Sequence, residues 1–328
     1  MKVSILDDYQ GALRSLDCFR RLDGHDVTGW DDHVTGLDDQ VTRLKDAEAL
    51  VLIRERSHIP AALLERLPKL KLISNLGSHH HIDKDACTRL GIVVSSASPA
   101  KGAFANTAEL TWGLVIAGMR QIPQQVAALC AGTWSPATGR SLAGNTLGIY
   151  SYGRLGALVA GYGRAFGMRV VVLARQETAE RARADGFEVA DGREEFFSQC
   201  DVVSLHLRLL DATRGIVTAE DLARMKPDAL LVNTSRAELI APGALVAALE
   251  AGRPGMAALD VFEAEPFDDA SHPLLNMPNV ICTPHIGYAT VEAFELLFAD
   301  VFDQIVAFAA GDPKNVVNPE VLDQASLR

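Results

Sequence analysis

Basic residues are in short supply: 31 Lys and Arg stand against 42 Asp and Glu, a formal net charge of −11. That balance excludes a nucleic-acid surface, which needs clustered Lys and Arg, and no local basic run offsets it. Cysteine is sparse as well. The five (Cys18, Cys87, Cys130, Cys200, Cys282) are odd in number, far apart and form no CxxC. A disulfide framework or a zinc site is not expected, and a reducing compartment fits. Long apolar runs are missing: the longest, around Leu110–Met119, is roughly half of what a bilayer requires. The chain opens with Lys2-Val3-Ser4-Ile5-Leu6, which reads as a strand rather than a signal peptide. The expectation is a cytoplasmic protein with neither membrane nor nucleic acid as partner and no bound metal.

What is present is globular. Apolar residues make up 48% and charged residues 22% of 328 positions, too long a chain for one ordinary core. Short apolar, β-branched runs alternate with helical patterns. Val3–Leu6, Ala49–Ile53, Leu70–Asn75 and Ile92–Ser95 read as strands, with helices at Leu37–Leu44, Ala61–Leu67 and Asp83–Leu90. A long helix is expected over Asn106–Ala131. A second series follows: Thr146–Ser151, Arg169–Leu173, Val202–Leu205, Ala229–Asn233, Met256–Ala258 and Val280–Cys282. A last helix, Val291–Ala310, would fold back onto the first region. Strands alternating with helices predict parallel sheets covered on both faces. The plan is a central dinucleotide domain inserted into a split outer domain, with crossings near residues 104 and 284, and a cleft between the two is the expected meeting place of cofactor and substrate.

The second series begins with Gly148-Ile149-Tyr150-Ser151-Tyr152-Gly153-Arg154-Leu155-Gly156. Against GxGxxG it keeps Gly153 and Gly156 but has Ser151 first. The second glycine lets backbone approach a pyrophosphate, the third lets helix pack on sheet, and the helix N-terminus offers N–H groups. Ser151, Tyr152, Gly153, Arg154, Leu155 and Gly156 are therefore candidate cofactor residues. The next strand ends in Ala174-Arg175. No carboxylate stands there for a ribose 2′-OH, and Arg175 occupies the place of a 2′-phosphate. This favours NADP over NAD, while a solvated loop arginine is the bland alternative. His206 and Arg208, after the strand Val202–Leu205, are further candidates for the adenosine side.

Three blocks follow in order: Val232-Asn233-Thr234-Ser235-Arg236, Ala258-Leu259-Asp260-Val261-Phe262-Glu263-Ala264-Glu265-Pro266, and Thr283-Pro284-His285-Ile286-Gly287. With the dinucleotide turn before them, the chain resembles the D-isomer-specific 2-hydroxyacid dehydrogenase family over nearly its whole length. The resemblance implies a Rossmann-type NAD(P)-binding domain over 104–283, inserted into a split flavodoxin-like α/β substrate domain over 1–103 and 284–328. It implies hydride transfer between NAD(P)H and a 2-keto acid or D-2-hydroxy acid. Arg236 would bind the substrate carboxylate and carbonyl, His285 would act as acid and base, and Glu265 would hold the imidazole. Thr234 and Asp260 go with the cofactor site, Asp260 as an organiser of the neighbouring loop. The chemistry wants these types, because a developing alkoxide needs a proton donor and a nearby positive charge. Structural readings remain beside each residue: Arg236 paired with Glu238, His285 as a capped loop histidine, Glu265 as a solvated acid.

The chain also departs from the family's pattern. Ala237 replaces the usual glycine after the arginine, and Tyr288 replaces a commoner small residue. The loop Leu76-Gly77-Ser78-His79-His80-His81-Ile82-Asp83 corresponds to the family's substrate loop, so Gly77, Ser78 and His79 are substrate candidates, with Arg54 after the strand Ala49–Ile53. Consecutive histidines on one loop rarely converge on one metal ion. Formate-oxidising relatives carry glutamine where Glu265 stands, and phosphite-oxidising ones a lysine that residues 76–83 lack. A dinucleotide-sensing, corepressor-like protein is the reading from another class. The resemblance further implies a homodimer through the central domain, with Leu110, Leu114, Val115, Met119 and Ile122 as a candidate interface or a core face.

Overall fold

The computed structural model describes residues 1–97, 104–134, 137–266 and 269–325. Two compact units are present, Met1–Lys101 with Ala289–Arg328, and Gly102–Tyr288.

In the first unit, β1 (Lys2–Ile5), β2 (Asp26–Gly29), β3 (Ala49–Val51), β4 (Leu72–Leu76) and β5 (Val93–Ala97) pair in parallel in the order β2-β1-β3-β4-β5. This is the flavodoxin-like arrangement. Helices α1 (Leu37–Leu44), α2 (Ala61–Leu64) and α3 (Lys84–Leu90) bury Leu44, Leu63, Leu64, Ala86 and Cys87 against Leu50, Leu52, Ile73 and Val94. The ends of α3 follow from its flanking residues. The Asp83 carboxylate accepts from Ala86 N at 2.9 Å, and Gly91 at φ 76° takes the left-handed turn that stops the helix. The returning helix Val291–Ala309 packs on β4 and β5, with Ser74 Oγ 2.8 Å from the Val301 carbonyl and 2.7 Å from Gln304 Oε1. With both faces covered, β4 is buried along its full length.

The second unit opens with α4 (Phe104–Arg120) and α5 (Ile122–Cys130), then β6 (Thr146–Tyr150), α6 (Arg154–Ala165), β7 (Arg169–Leu173), α7 (Gln176–Ala184) and β8 (Glu188–Val189). After α8 (Arg193–Gln199) come β9 (Val202–Leu205), α9 (Ala219–Arg224), β10 (Leu230–Asn233), α10 (Ala244–Glu250), β11 (Met256–Leu259) and β12 (Val280–Cys282). The sheet is parallel, in the order β12-β11-β10-β9-β6-β7-β8. The chain reverses its direction of winding between β6 and β9, the topological switch point where doubly wound sheets bind dinucleotides. One face buries Trp112, Val115 and Met119 of α4 and Val159 and Ala160 of α6; the other buries Phe196, Phe197, Leu222, Leu245 and Leu249.

Several expectations need correction. The single helix over Asn106–Ala131 is two, broken at Gln121, which lies at φ 52°. Pro123 is the cause. In a continuous helix its ring would collide with the Met119 carbonyl, which instead accepts from Arg140 N at 2.7 Å. The proposed interface face is mostly core: Leu114, Val115 and Met119 are buried, whereas Ile122 is exposed on α5. Strands β2 and β8 were not expected; they are short, lie at sheet edges and are too polar to show a periodic pattern. Among the described residues no helix is long and apolar enough to cross a membrane.

Candidate active site

The turn after β6 is tied to β7 by Ser151 N donating to the Leu173 carbonyl at 2.8 Å. Ser151 takes φ 80°, the left-handed conformation that glycine supplies more easily. Gly156 is sterically required: a Cβ there would lie 2.3 Å from the Ser151 carbonyl oxygen. Gly153, the N-cap of α6, is the opposite case, since a Cβ on it would meet nothing within 4 Å. Its open face fits a group that needs close backbone approach. Tyr152 turns inward, buried at 1% exposure, and its hydroxyl donates to Asp185 Oδ2 at 2.7 Å. Only its backbone is left to face a ligand.

Nearby candidates differ in exposure. Ala174 is half-buried, and Arg175, the N-cap of α7, is exposed. His206 follows β9, its N–H donating to the Tyr150 carbonyl at 2.9 Å. Its ring is buried with both nitrogens lacking a partner, and burial pulls its pKa down to about 3. A neutral, unsatisfied imidazole beside the switch point is a polar group still needing a hydrogen bond. The open Gly153 face and this orphaned ring both suit a dinucleotide.

Arg236, Glu265 and His285 come from the loops after β10, β11 and β12. At β10, Asn233 Nδ2 donates to the Arg236 carbonyl at 2.8 Å and Ser235 Oγ to the Leu205 carbonyl at 2.9 Å. The Arg236 guanidinium reaches the Ser235 carbonyl at 2.7 Å. Glu238 pairs with Arg214 at 3.6 Å, so the structural pairing considered for Arg236 is not made. The hydroxyls of Thr234 and Thr111 meet at 2.7 Å in the core.

Glu265 Oε1 accepts from Phe262 N at 2.9 Å, and Oε2 lies 2.5 Å from His285 Nδ1. Burial alone would raise the Glu265 pKa. The hydrogen bond and charge of His285, the Phe262 N–H and the Arg236 charge together hold it below the ordinary value of 4.5. An ionised carboxylate only accepts, so Nδ1 carries a proton and Nε2 is left for a reacting group. His285 sits at φ 51°, and Asp260 keeps its loop in place. The Asp260 carboxylate accepts from Thr283 Oγ1 at 2.6 Å and from Ile286 N and Gly287 N, each at 2.9 Å. Thr107 Oγ1 donates to the Gly287 carbonyl at 2.9 Å. The Tyr288 ring stands edge-on to the imidazole, 5.7 Å between centroids.

A family model described as "D-isomer specific 2-hydroxyacid dehydrogenase, NAD binding domain" matches residues 112–287. The chain belongs to the D-isomer specific 2-hydroxyacid dehydrogenase family. Among relatives, it is 36% identical to a glyoxylate reductase of Aeropyrum pernix over 91% of each chain. It is 39% identical to a D-3-phosphoglycerate dehydrogenase of Methanocaldococcus jannaschii over 86% of this chain, yet spans only 54% of that longer protein. Among solved structures, a candidate D-3-phosphoglycerate dehydrogenase oxidoreductase from Ralstonia solanacearum is 50% identical, with a TM-score of 0.93 over 100% of this chain and 99% of that one.

In this family member the substrate candidates lie in the first unit, beyond the ends of its strands. Arg54, after β3, is at φ 61°. Gly77, at φ 80°, donates to the Ala97 carbonyl at 2.8 Å, and Asn75 Nδ2 to the Ser78 carbonyl at 2.8 Å. Ser78 Oγ lies 2.5 Å from His80 Nδ1, and His79 is half-buried. Among the described residues no three His, Cys, Asp or Glu side chains are grouped to hold a metal ion. Missed by sequence reasoning were Thr107, which braces the histidine loop, and Arg181, which donates to the Tyr152 carbonyl. No spacing rule ties α4 to β12 or α7 to the turn after β6.

Proposed function

We propose that this chain interconverts a 2-keto acid and its D-2-hydroxy acid with NADP(H) preferred over NAD(H). The observation carrying the reading is the 2.5 Å contact of Glu265 Oε2 with His285 Nδ1, within the electrostatic reach of Arg236. The turn after β6 would hold the pyrophosphate of the dinucleotide, whose nicotinamide would supply or accept the hydride. Arg236, a planar fork of donors, binds the substrate carboxylate and polarises the carbonyl oxygen. His285 delivers a proton from Nε2 to that oxygen as its charge develops, and takes it back in the reverse reaction. Glu265 fixes the ring's orientation and balances the charge of the imidazolium.

The cofactor preference rests on Arg175. It is exposed at the N-cap of α7, and neither Ala174 nor Leu173 offers a carboxylate against a 2′-phosphate. The protein is further proposed to be a homodimer through α5. Ile122, Val126 and Leu129 on that helix are 44%, 56% and 59% exposed, and Trp134 beyond it is 84% exposed.

The test is oxidation of NADPH and NADH against 2-keto acids from glyoxylate and hydroxypyruvate to phenylpyruvate. His285→Ala is expected to lower kcat by about 10²–10⁴-fold. Arg175→Ala is expected to cost NADPH, and not NADH, about tenfold in kcat/KM. Cofactor binding without turnover by the unsubstituted protein would replace this reading with that of a dinucleotide sensor.

A further inference from the structure

Ser151 stands at the turn position where a glycine would bend most easily, and its φ of 80° has to be held by something outside the turn. The structure supplies a brace from α7. Arg181 Nη2 donates to the Tyr152 carbonyl, and its guanidinium lies 5.4 Å from the centre of the Tyr152 ring. Tyr152 is anchored beneath it: the hydroxyl donates to Asp185 Oδ2 at 2.7 Å and the ring packs on Phe187, centroids 5.8 Å apart. Arg164 completes the support, with Nη1 3.0 Å from the Asp185 carbonyl and its guanidinium 4.5 Å from the Phe187 ring centre.

The consequence follows from peptide planarity. The Tyr152 carbonyl and the Gly153 N–H belong to one planar trans peptide, so they point in opposite directions. Fixing the carbonyl toward α7 aims the Gly153 N–H away from it, on the residue whose open face admits a ligand. We propose that Arg181 is a positioning residue for the dinucleotide: by holding the Tyr152 carbonyl it presets the Gly153 N–H for the pyrophosphate, doing from outside what a first-position glycine permits from within. This rests on the reading that the turn binds NADP(H). Arg181 touches the backbone of the turn and not the reacting atoms, so its effect belongs on cofactor affinity rather than on the chemical step.

The experiment is titration of the whole protein with NADPH, followed by calorimetry, for the unsubstituted chain, Arg181→Met, Arg181→Lys and Arg183→Met, with melting temperatures alongside. Arg181→Met keeps the aliphatic stem and removes the donor. It should raise the Kd about tenfold, as the loss of one charge-assisted hydrogen bond does. It should raise the KM for NADPH in step and leave kcat at saturating NADPH within about twofold. Arg181→Lys should recover part of the affinity, and Arg183→Met, which removes a neighbouring charge on α7, should leave it unchanged. A lowered melting temperature with an unchanged Kd in Arg181→Met would make the brace merely structural and overturn the inference. Equal losses in Arg181→Met and Arg183→Met would also overturn it, in favour of a diffuse charge effect. If the unsubstituted chain binds no NADPH, the proposed function itself fails and this inference with it, a result distinct from normal binding unmoved by Arg181→Met.

Discussion

His81 is 5% exposed in the first unit, with neither ring nitrogen hydrogen-bonded, and burial foremost lowers its pKa from 6.5 to about 4. A histidine depressed in the folded state binds its proton more readily when unfolded. Its contribution is fully present above pH 6.5 and declines as pH falls from there toward 4. His206 acts in the same sense over a window reaching to about 3. The melting temperature should therefore drop between pH 7 and pH 5, and His81→Leu should flatten that slope, each pH unit being worth about 1.4 kcal/mol per group. An unchanged slope in His81→Leu would contradict the assignment. Glu265 runs the other way: its lowered pKa keeps the carboxylate ionised below the ordinary 4.5, so its pairing with His285 is lost only in stronger acid.

At the scale of elements, the break at Gln121 separates two helices with different tasks. α4 buries Trp112, Leu114, Val115 and Met119, whereas α5 has no buried residue at all. A nine-residue helix with an apolar, exposed stripe gains little from the core of its own chain, which is why a second copy is the expected cover. Val126→Asp with Leu129→Asp should convert the proposed dimer to a monomer on gel filtration while leaving the far-ultraviolet circular dichroism unchanged. A doubly substituted protein still running at dimer mass would place the interface elsewhere. The break was missed in the sequence: Pro123 forbids a continuous helix, but apolar periodicity running through it led to one helix being expected. The strands β4, β6, β7 and β10 were readable for the opposite reason: buried over most of their length, they are largely apolar runs. Two edge strands, β2 with Asp26 and Thr28 and β8 with two residues, carry no such pattern. In the candidate active site, Arg236, Glu265 and His285 were singled out by ordered blocks of residues, and the structure puts Glu265 against His285. What could not be read were contacts distant in sequence, such as Thr107 with Gly287 and Arg181 with Tyr152.

Over the whole molecule, two parallel sheets with orders β2-β1-β3-β4-β5 and β12-β11-β10-β9-β6-β7-β8 each bury their strands between helices. A ligand that binds only the folded state adds its binding energy to stability. NADPH at a hundred times its Kd should stabilise the fold by about 2.7 kcal/mol, read as a rise in melting temperature that vanishes when the nucleotide is replaced by nicotinamide alone. The same rise with nicotinamide alone would mean that the phosphate turn contributes nothing.

Arg236, Glu265 and His285 all lie within Gly102–Tyr288, the stretch that also contains the turn at Ser151–Gly156. The proposed proton-transfer residues and the proposed nucleotide turn thus lie on one continuous stretch of the chain, while the substrate candidates Arg54, Gly77, Ser78 and His79 precede it. On that proposal, a lineage could rewrite the leading hundred codons, and with them the candidate substrate contacts, without touching the proposed reacting residues. Recombination at that seam would be expected to yield new substrate ranges far more often than new chemistries.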